Sequence, residues 1–279
     1  MDRLTEPTLQ NNMAYRLAGK SAIVVGGGQT PGSTFGNGRA TAVLFARHGA
    51  KVLVADRSLA SAEETVRIIQ SEGGTASAMQ VDVLQEGDLT RMVDGCLGLW
   101  GRLDILHNNV GISRAGGDAS VTEITPEAFT LITDINLRGM VLACKHALPP
   151  MREQGGGVIV NIASVAGKID YPWIAYQTSK AGVVILTEHL AITNGQYGVR
   201  ANAILPGLMD TPMAVEGQIR GGVTRDQVVA QRSAKTPLKG RPGNAWDVAH
   251  AALFLASDEA AFISGTAITV DGAQTLIRG

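Results

Sequence analysis

The sequence predicts an α/β fold, a single-domain, doubly wound parallel sheet of about seven strands with helices on both faces. Three observations carry this. Short β-branched runs recur along the chain, longer helical stretches separate them, and the central runs are largely apolar rather than alternating. Continuous apolar strands belong to sheets covered on both sides, and right-handed crossovers turn a strand-helix alternation into a parallel sheet.

The strand runs are "SAIVV" from Ser21, "KVLVA" from Lys51, "ASAMQVDV" from Ala76, "LDILHNN" from Leu103, "GVIVNIAS" from Gly157, "VRANAIL" from Val199 and "AITVDG" from Ala267. Between them "GRATAVLFARHG", "LASAEETVRIIQSEGG" and "DLTRMVDGCLGLWG" read as helices. Ser58 is placed to cap the second of these, and Gly73 and Gly74 to end it. The 279 residues, 45% hydrophobic, fit one large domain over 17–279 behind a polar tail, 1–16. The stretch 208–244, rich in Gly and charge, has the weakest pattern. It reads as a substrate lid, with a passive surface excursion as the alternative.

Composition excludes several function classes. With 24 Lys plus Arg against 25 Asp plus Glu, the net charge is −1, and no basic surplus exists to neutralise nucleic acid. Cys96 and Cys144 lie in helical core segments without disulfide or metal-ligand spacing, so the reading is two buried free thiols and no metal. The N-terminus lacks the order of a signal peptide, and no apolar run approaches the roughly 18 residues of a membrane span. The expectation is a soluble cytoplasmic protein.

After "SAIVV" the chain enters "GGGQTPGSTFGNG" and then the helix "NGRATAVLFARHGA". This is the strand, turn and helix context in which glycines admit a pyrophosphate and a helix N-terminus faces it, although Gly-rich turns also arise for steric reasons alone. The next strand ends in "VADRS", which sets Asp56 where a carboxylate can accept hydrogen bonds from an adenosine ribose or merely close a strand. That carboxylate repels a 2′-phosphate and favours NAD over NADP; Arg57 beside it works the other way. "YQTSK" puts Tyr176 and Lys180 four apart, on one helix face. An adjacent ammonium lowers a phenol pKa toward a working range, so the pair suits proton transfer. The same spacing is common on solvated helix surfaces. "VNIASVAG" adds Ser164 at the end of a neighbouring strand, as a holder of a substrate oxygen or as a turn serine.

From about Leu17 to Leu276 these motifs, with "VDV" at Val81, "NNVG" at Asn108, "DINLRG" at Asp134, "LPGLMDTPM" at Leu205 and "VDGA" at Val270, resemble the short-chain dehydrogenase/reductase family. The resemblance implies Tyr176 as acid/base, Lys180 as its pKa partner and ribose ligand, Ser164 as orienter of the reacting oxygen, and Asn136 as the residue that fixes a water beside Lys180. It implies a cofactor site of Gly27, Gly36, Asn37, Gly38, Asp56, Arg57, Asp82, Val83, Asn109, Gly111, Pro206, Gly207, Leu208 and Thr211, with Tyr176 and Lys180. It also implies a homotetramer, assembled through the helices flanking the catalytic strand and the C-terminal segment.

The glycine loop departs from the family's G-x-x-x-G-x-G spacing: counted from Gly27 to Gly36 and Gly38 it is about five residues too long. Gly32, Gly36 and Gly38 fit the spacing by themselves. In both registers the extra residues bulge outward at a Pro31-Gly32 turn, and Ser33 and Thr34 become possible phosphate donors. Smaller departures are Gly26, Val110 and Ala163 at positions where threonine, alanine and serine are usual, and a Ser164 to Tyr176 interval one residue short. Val165, Tyr171, Trp173, Met209, Met213 and Val215 form an apolar pocket set, with subunit packing as the other reading of Tyr171 and Trp173. Together these imply an NAD-dependent oxidoreductase of a hydrophobic secondary alcohol or ketone. An NADPH-dependent carbonyl or 3-ketoacyl reductase is the alternative, although no arginine counterpart of a carrier-protein surface is found, and a non-catalytic cofactor-binding scaffold is the third.

Overall fold

The computed structural model describes residues 15–220, 222–238 and 240–277. The strands are β1 (Ser21–Val25), β2 (Lys51–Asp56), β3 (Thr75–Gln80), β4 (Ile105–Asn108), β5 (Gly157–Ile162), β6 (Val199–Pro206), β7 (Met209–Asp210), β8 (Gly243–Asn244) and β9 (Ala267–Val270). All except β7 and β8 join one parallel sheet in the order β3-β2-β1-β4-β5-β6-β9. The helices are α1 (Asn37–Arg47), α2 (Leu59–Ser71), α3 (Glu86–Trp100), α4 (Pro126–Thr133), α5 (Gly139–Glu153), α6 (Ile174–Asn194), α7 (Pro212–Arg220), α8 (Arg225–Ala234) and α9 (Ala245–Ala256).

Burial explains why the strands carry no polar face. In β1, Ala22 and Val24 pack under α1, α2 and α9, while Ile23 and Val25 pack under α3 and α5. Each side of the sheet is therefore a core. β1 pairs with β2 on one side and with β4 on the other, so the chain reverses its direction of travel across the sheet there. Ligand crevices in open α/β sheets form at such a switch point, outside the carboxyl ends of the strands.

Local chemistry sets the element ends. Ser58 accepts the Ser61 N–H and caps α2, and Gly73, with φ +83°, turns the chain out of it. β3 stops at Gln80, short of the expected run through "VDV": Val81 N–H makes the last bond to β2, at the Asp56 carbonyl, and the Asp82 carboxylate then accepts the Leu84 N–H in a turn. The patternless stretch after Leu208 folds into α7 and α8, joined to the sheet by the short parallel pair β7–β8. A reciprocal cap starts α8, with Thr224 and Gln227 each accepting from the other's backbone. Of the proposed tail, residues 1–14 lie outside the described residues; Arg16 pairs with Glu259 at 2.7 Å and Leu17 is fully buried. Among the described residues no helix is long and apolar enough to cross a membrane.

Candidate active site

A cleft of about 1050 Å³ opens at the switch point. One end is the glycine loop. Gly26 leaves β1 with φ +76°, and a Cβ on Gly38, in the first turn of α1, would stand 1.9 Å from the Gly26 carbonyl oxygen. Asn109 ties the same carbonyl with its side-chain amide at 3.0 Å. The closing pair Gly36 and Gly38 thus serves a close approach of loop to helix, and Asn37 between them has a buried side-chain oxygen with no partner.

The lengthened part is a closed loop. The Gln29 side-chain oxygen accepts the Gly36 N–H at 3.0 Å, and the Gln29 N–H and carbonyl both bond the Ser61 hydroxyl. Pro31 and Gly32 do not bulge away from the protein: both line the cleft, and a Cβ on Gly32 would meet Pro212 and Glu216 of α7 at 2.8 Å. Phe35 packs tilted against Trp246 of α9, with centroids 5.3 Å apart, and Ser33 and Thr34 are not among the residues that line the cleft.

Asp56 ends β2 with its carboxylate in the cleft, accepting the Gly28 N–H at 3.0 Å and the Ser58 N–H at 2.9 Å. Arg57, Asp82, Val83, Asn109, Gly111, Pro206, Gly207 and Thr211 share the lining. Gly27 does not: its Cα faces Val54 and the Val24 carbonyl, so Gly26 and Gly28 present the loop to the cleft instead. Leu208 is also outside, its N–H bonded to Gln274 and its carbonyl to Gly243.

At the other end three of the four polar residues of the resemblance, Ser164, Tyr176 and Lys180, line the cleft. Ser164 stands beside Tyr176 in the cleft lining, and Lys180 Nζ lies 5.7 Å from the Tyr176 ring centre. Lys180 donates to the Ile162 carbonyl at 2.8 Å, and a Cβ on Gly111 would stand 3.1 Å from Nζ. Burial pushes the Tyr176 phenol above its ordinary value, against the Ser164 hydroxyl, which lowers it. The same burial pulls Lys180 down to about 7. Expected downward movement of the phenol is therefore reversed here, because desolvation opposes the phenolate. Asn136, fully buried in the π turn between α4 and α5, accepts from Ile112 N–H and donates to the Ile112 carbonyl and to Ser179. Its side chain is therefore spent on the loop after β4 and on α6, and does not line the cleft.

Met209 and Met213 line the cleft, with Pro212, Ala214, Ile112 and Ile162. Val165, Tyr171, Trp173 and Val215 stand outside its lining. Val165 and Val215 are core residues, and Tyr171 is packed between Trp173 at 5.3 Å and Tyr176 at 5.6 Å, edge-on to the first and tilted to the second. Gln29, Ser61 and Asp118, which shape the site, were not readable in advance, since each acts on residues distant in sequence or on main chain. Cys96 and Cys144 are buried, and burial pushes both thiols up to about 12.

Residues 32–275 match the family model described as enoyl-(acyl carrier protein) reductase. The chain is 38% identical over 249 residues to 2-(R)-hydroxypropyl-CoM dehydrogenase of Xanthobacter autotrophicus, covering 88% of this chain and 97% of the relative. The crystal structure of a short-chain dehydrogenase/reductase from Burkholderia xenovorans superposes with a TM-score of 0.90 at 37% identity, over 95% of this chain and all of that one. A 7α-hydroxysteroid dehydrogenase complexed with NADH and 7-oxo glycochenodeoxycholic acid superposes at 0.82 and 32% identity, over 94% and 96% of the two chains. With sheet order, motif order and relatives in agreement over nearly the full length, the chain belongs to the short-chain dehydrogenase/reductase family and is an oxidoreductase acting on CH–OH groups.

Proposed function

We propose that this protein interconverts a hydrophobic secondary alcohol and its ketone with NAD, and that Asn136, Ser164, Tyr176 and Lys180 form its catalytic set. The observation that carries the reading is the meeting of Ser164, Tyr176 and a buried Lys180 in the lining at one end of a cleft whose other end is a glycine loop. In oxidation the Tyr176 phenolate takes the hydroxyl proton while Ser164 holds the oxygen, and in reduction Tyr176 returns it. Nicotinamide, when bound, supplies the hydride acceptor or donor. The residues present fit a dinucleotide: Gly26, Gly28, Gly36 and Gly38 leave the backbone bare, Asn37 keeps an unpartnered oxygen, and Asp56 offers a carboxylate. The apolar wall of Met209, Pro212, Met213 and Ala214 supports a hydrophobic substrate body, and 208–244 as its lid.

Asp56 supports NAD over NADP, since its carboxylate is held toward the cleft by two main-chain N–H groups and cannot swing from a 2′-phosphate without losing both. Fluorescence titration is expected to give NADH an affinity about tenfold or more above NADPH, a difference of roughly 1.4 kcal/mol. Tighter NADPH binding would mean that Arg57 and Arg67, which share the lining, set the preference. Turnover of a panel of secondary alcohols with NAD then tests the reaction itself.

Exposed apolar side chains on the helices flanking β5, Val141, Ile185 and Ile192, with Phe129 and Leu131 beside them and Leu276 at the C-terminal segment, support a homotetramer. Size-exclusion chromatography with light scattering is expected to return four chains per particle; a monomer would refute this assembly. The buried, unpaired thiols suit the reducing cytoplasm.

A further inference from the structure

The helix that carries Tyr176 and Lys180 has no cap of its own. α6 begins after Trp173, whose side chain accepts nothing from the first turn, so the N–H groups of Ile174, Ala175 and Tyr176 need acceptors from elsewhere. All three find them at one place. Ile174 donates to the Ala119 carbonyl at 3.0 Å, Ala175 to one Asp118 carboxylate oxygen at 3.0 Å, and Tyr176 to the other at 2.9 Å. Asp118 lies in the loop after β4, 57 and 58 residues before its partners.

That loop is itself held rigidly. Asn136 grips the N–H and carbonyl of Ile112 at its start, and Gly117, with φ +84°, turns the chain into Asp118. Ser113 donates to Asp118 at 3.1 Å and stands near the Tyr171 phenol, whose ring lies against Tyr176 with centroids 5.6 Å apart. One carboxylate thus fixes the backbone of Tyr176 directly, and the Tyr176 ring packs on Tyr171 beside the loop that carries it.

We propose that Asp118 is the positioning residue of the active site, capping the catalytic helix from the loop after β4 and fixing the Tyr176 backbone at the cleft. This rests on Tyr176 being the acid/base. A carboxylate is needed because two adjacent N–H groups require two acceptor oxygens; an amide offers one and turns its own N–H₂ toward a helix N-terminus. The cap has a chemical side effect. Around the Tyr176 phenol stand Lys180 on the same helix, Tyr171 from the segment before it, and neutral Ser164 after β5; Arg232 of α8 acts on Tyr171. Asp118 is the anion in this set, and it opposes the phenolate.

The test needs no substrate. Hydrogen exchange by mass spectrometry on 172–178 is expected to run roughly fivefold to tenfold faster in Asp118→Asn and Asp118→Ala than in wild type. The tyrosinate absorbance of Tyr176, identified by subtracting the Tyr176→Phe spectrum, is expected to titrate at lower pH in both variants. Wild-type exchange overturns the proposal. So does faster exchange with an unmoved titration, which reduces Asp118 to an ordinary helix cap. Should Asp118→Ala fail to fold, Asp118→Asn decides by the same two readings. Neither outcome touches the catalytic reading of Tyr176, which stands or falls on turnover by Tyr176→Phe.

Discussion

Tyr176→Phe is expected to lose turnover by roughly a hundredfold to ten-thousandfold, the range of a removed general acid/base, while NADH binds within about twofold of wild type. The substitution removes one oxygen and keeps the ring that packs on Tyr171, so the pocket shape survives. What it removes is the phenol oxygen, the atom that carries the proton in the proposed reaction. Because burial raises the Tyr176 phenol, the form that accepts a proton grows as pH rises, and wild-type alcohol oxidation should climb with pH in the alkaline range. Ketone reduction uses the protonated phenol and should lack that climb. Steady-state rates in both directions, with the NADH dissociation constant measured beside them, check the prediction. Turnover retained within tenfold in Tyr176→Phe would remove Tyr176 from the chemistry.

Gly38→Ala should have an effect of comparable size by a different route. The added Cβ would lie 1.9 Å from the Gly26 carbonyl oxygen, 2.6 Å from the Asn109 amide nitrogen and 2.9 Å from the Gly26 carbonyl carbon. Two of these are backbone atoms at the end of a central strand and cannot rotate aside. The loop must part from α1, breaking the Asn109 hydrogen bond as it goes. Overpacking of this kind costs about 1–3 kcal/mol, and NADH affinity should fall by about a hundredfold as the loop leaves its place. Gly98→Ala is the control. It sits inside α3 with nothing within 4 Å of the added methyl group, and should raise stability by about 0.5–1 kcal/mol. Thermal melts and NADH titrations of the two variants separate a general intolerance of alanine from the specific contact at Gly38.

The sheet was legible because its strands must be apolar on both faces, which leaves an unbroken run where a one-sided strand would alternate. Tyr176 and Lys180 were legible because four residues is one turn of helix. Ser164 followed from being at the end of a strand that had to lie beside them. Legibility ended wherever a residue acts through main chain or across a long separation. Asn136 was readable as a site residue, but its engagement with Ile112 depends on a π turn that leaves no local mark in "DINLRG". Asp118 carries no pattern, since its partners lie more than fifty residues ahead. α7 and α8 were hidden because short, Gly-flanked helices take their stability from what they rest on. Tyr171 and Trp173 were chemically plausible as pocket walls, and only packing shows them turned onto each other.

The seven-residue separation of Gln29 and Gly36, closed by one hydrogen bond, gives the glycine-loop end of the cleft a closed arm. That arm reaches Pro212 and Glu216 at a glycine with no space for a side chain. The two sides of the cleft mouth, which in sequence are separated by most of the domain, are therefore in contact. The lengthened loop thus bridges the cleft mouth and rests directly on α7.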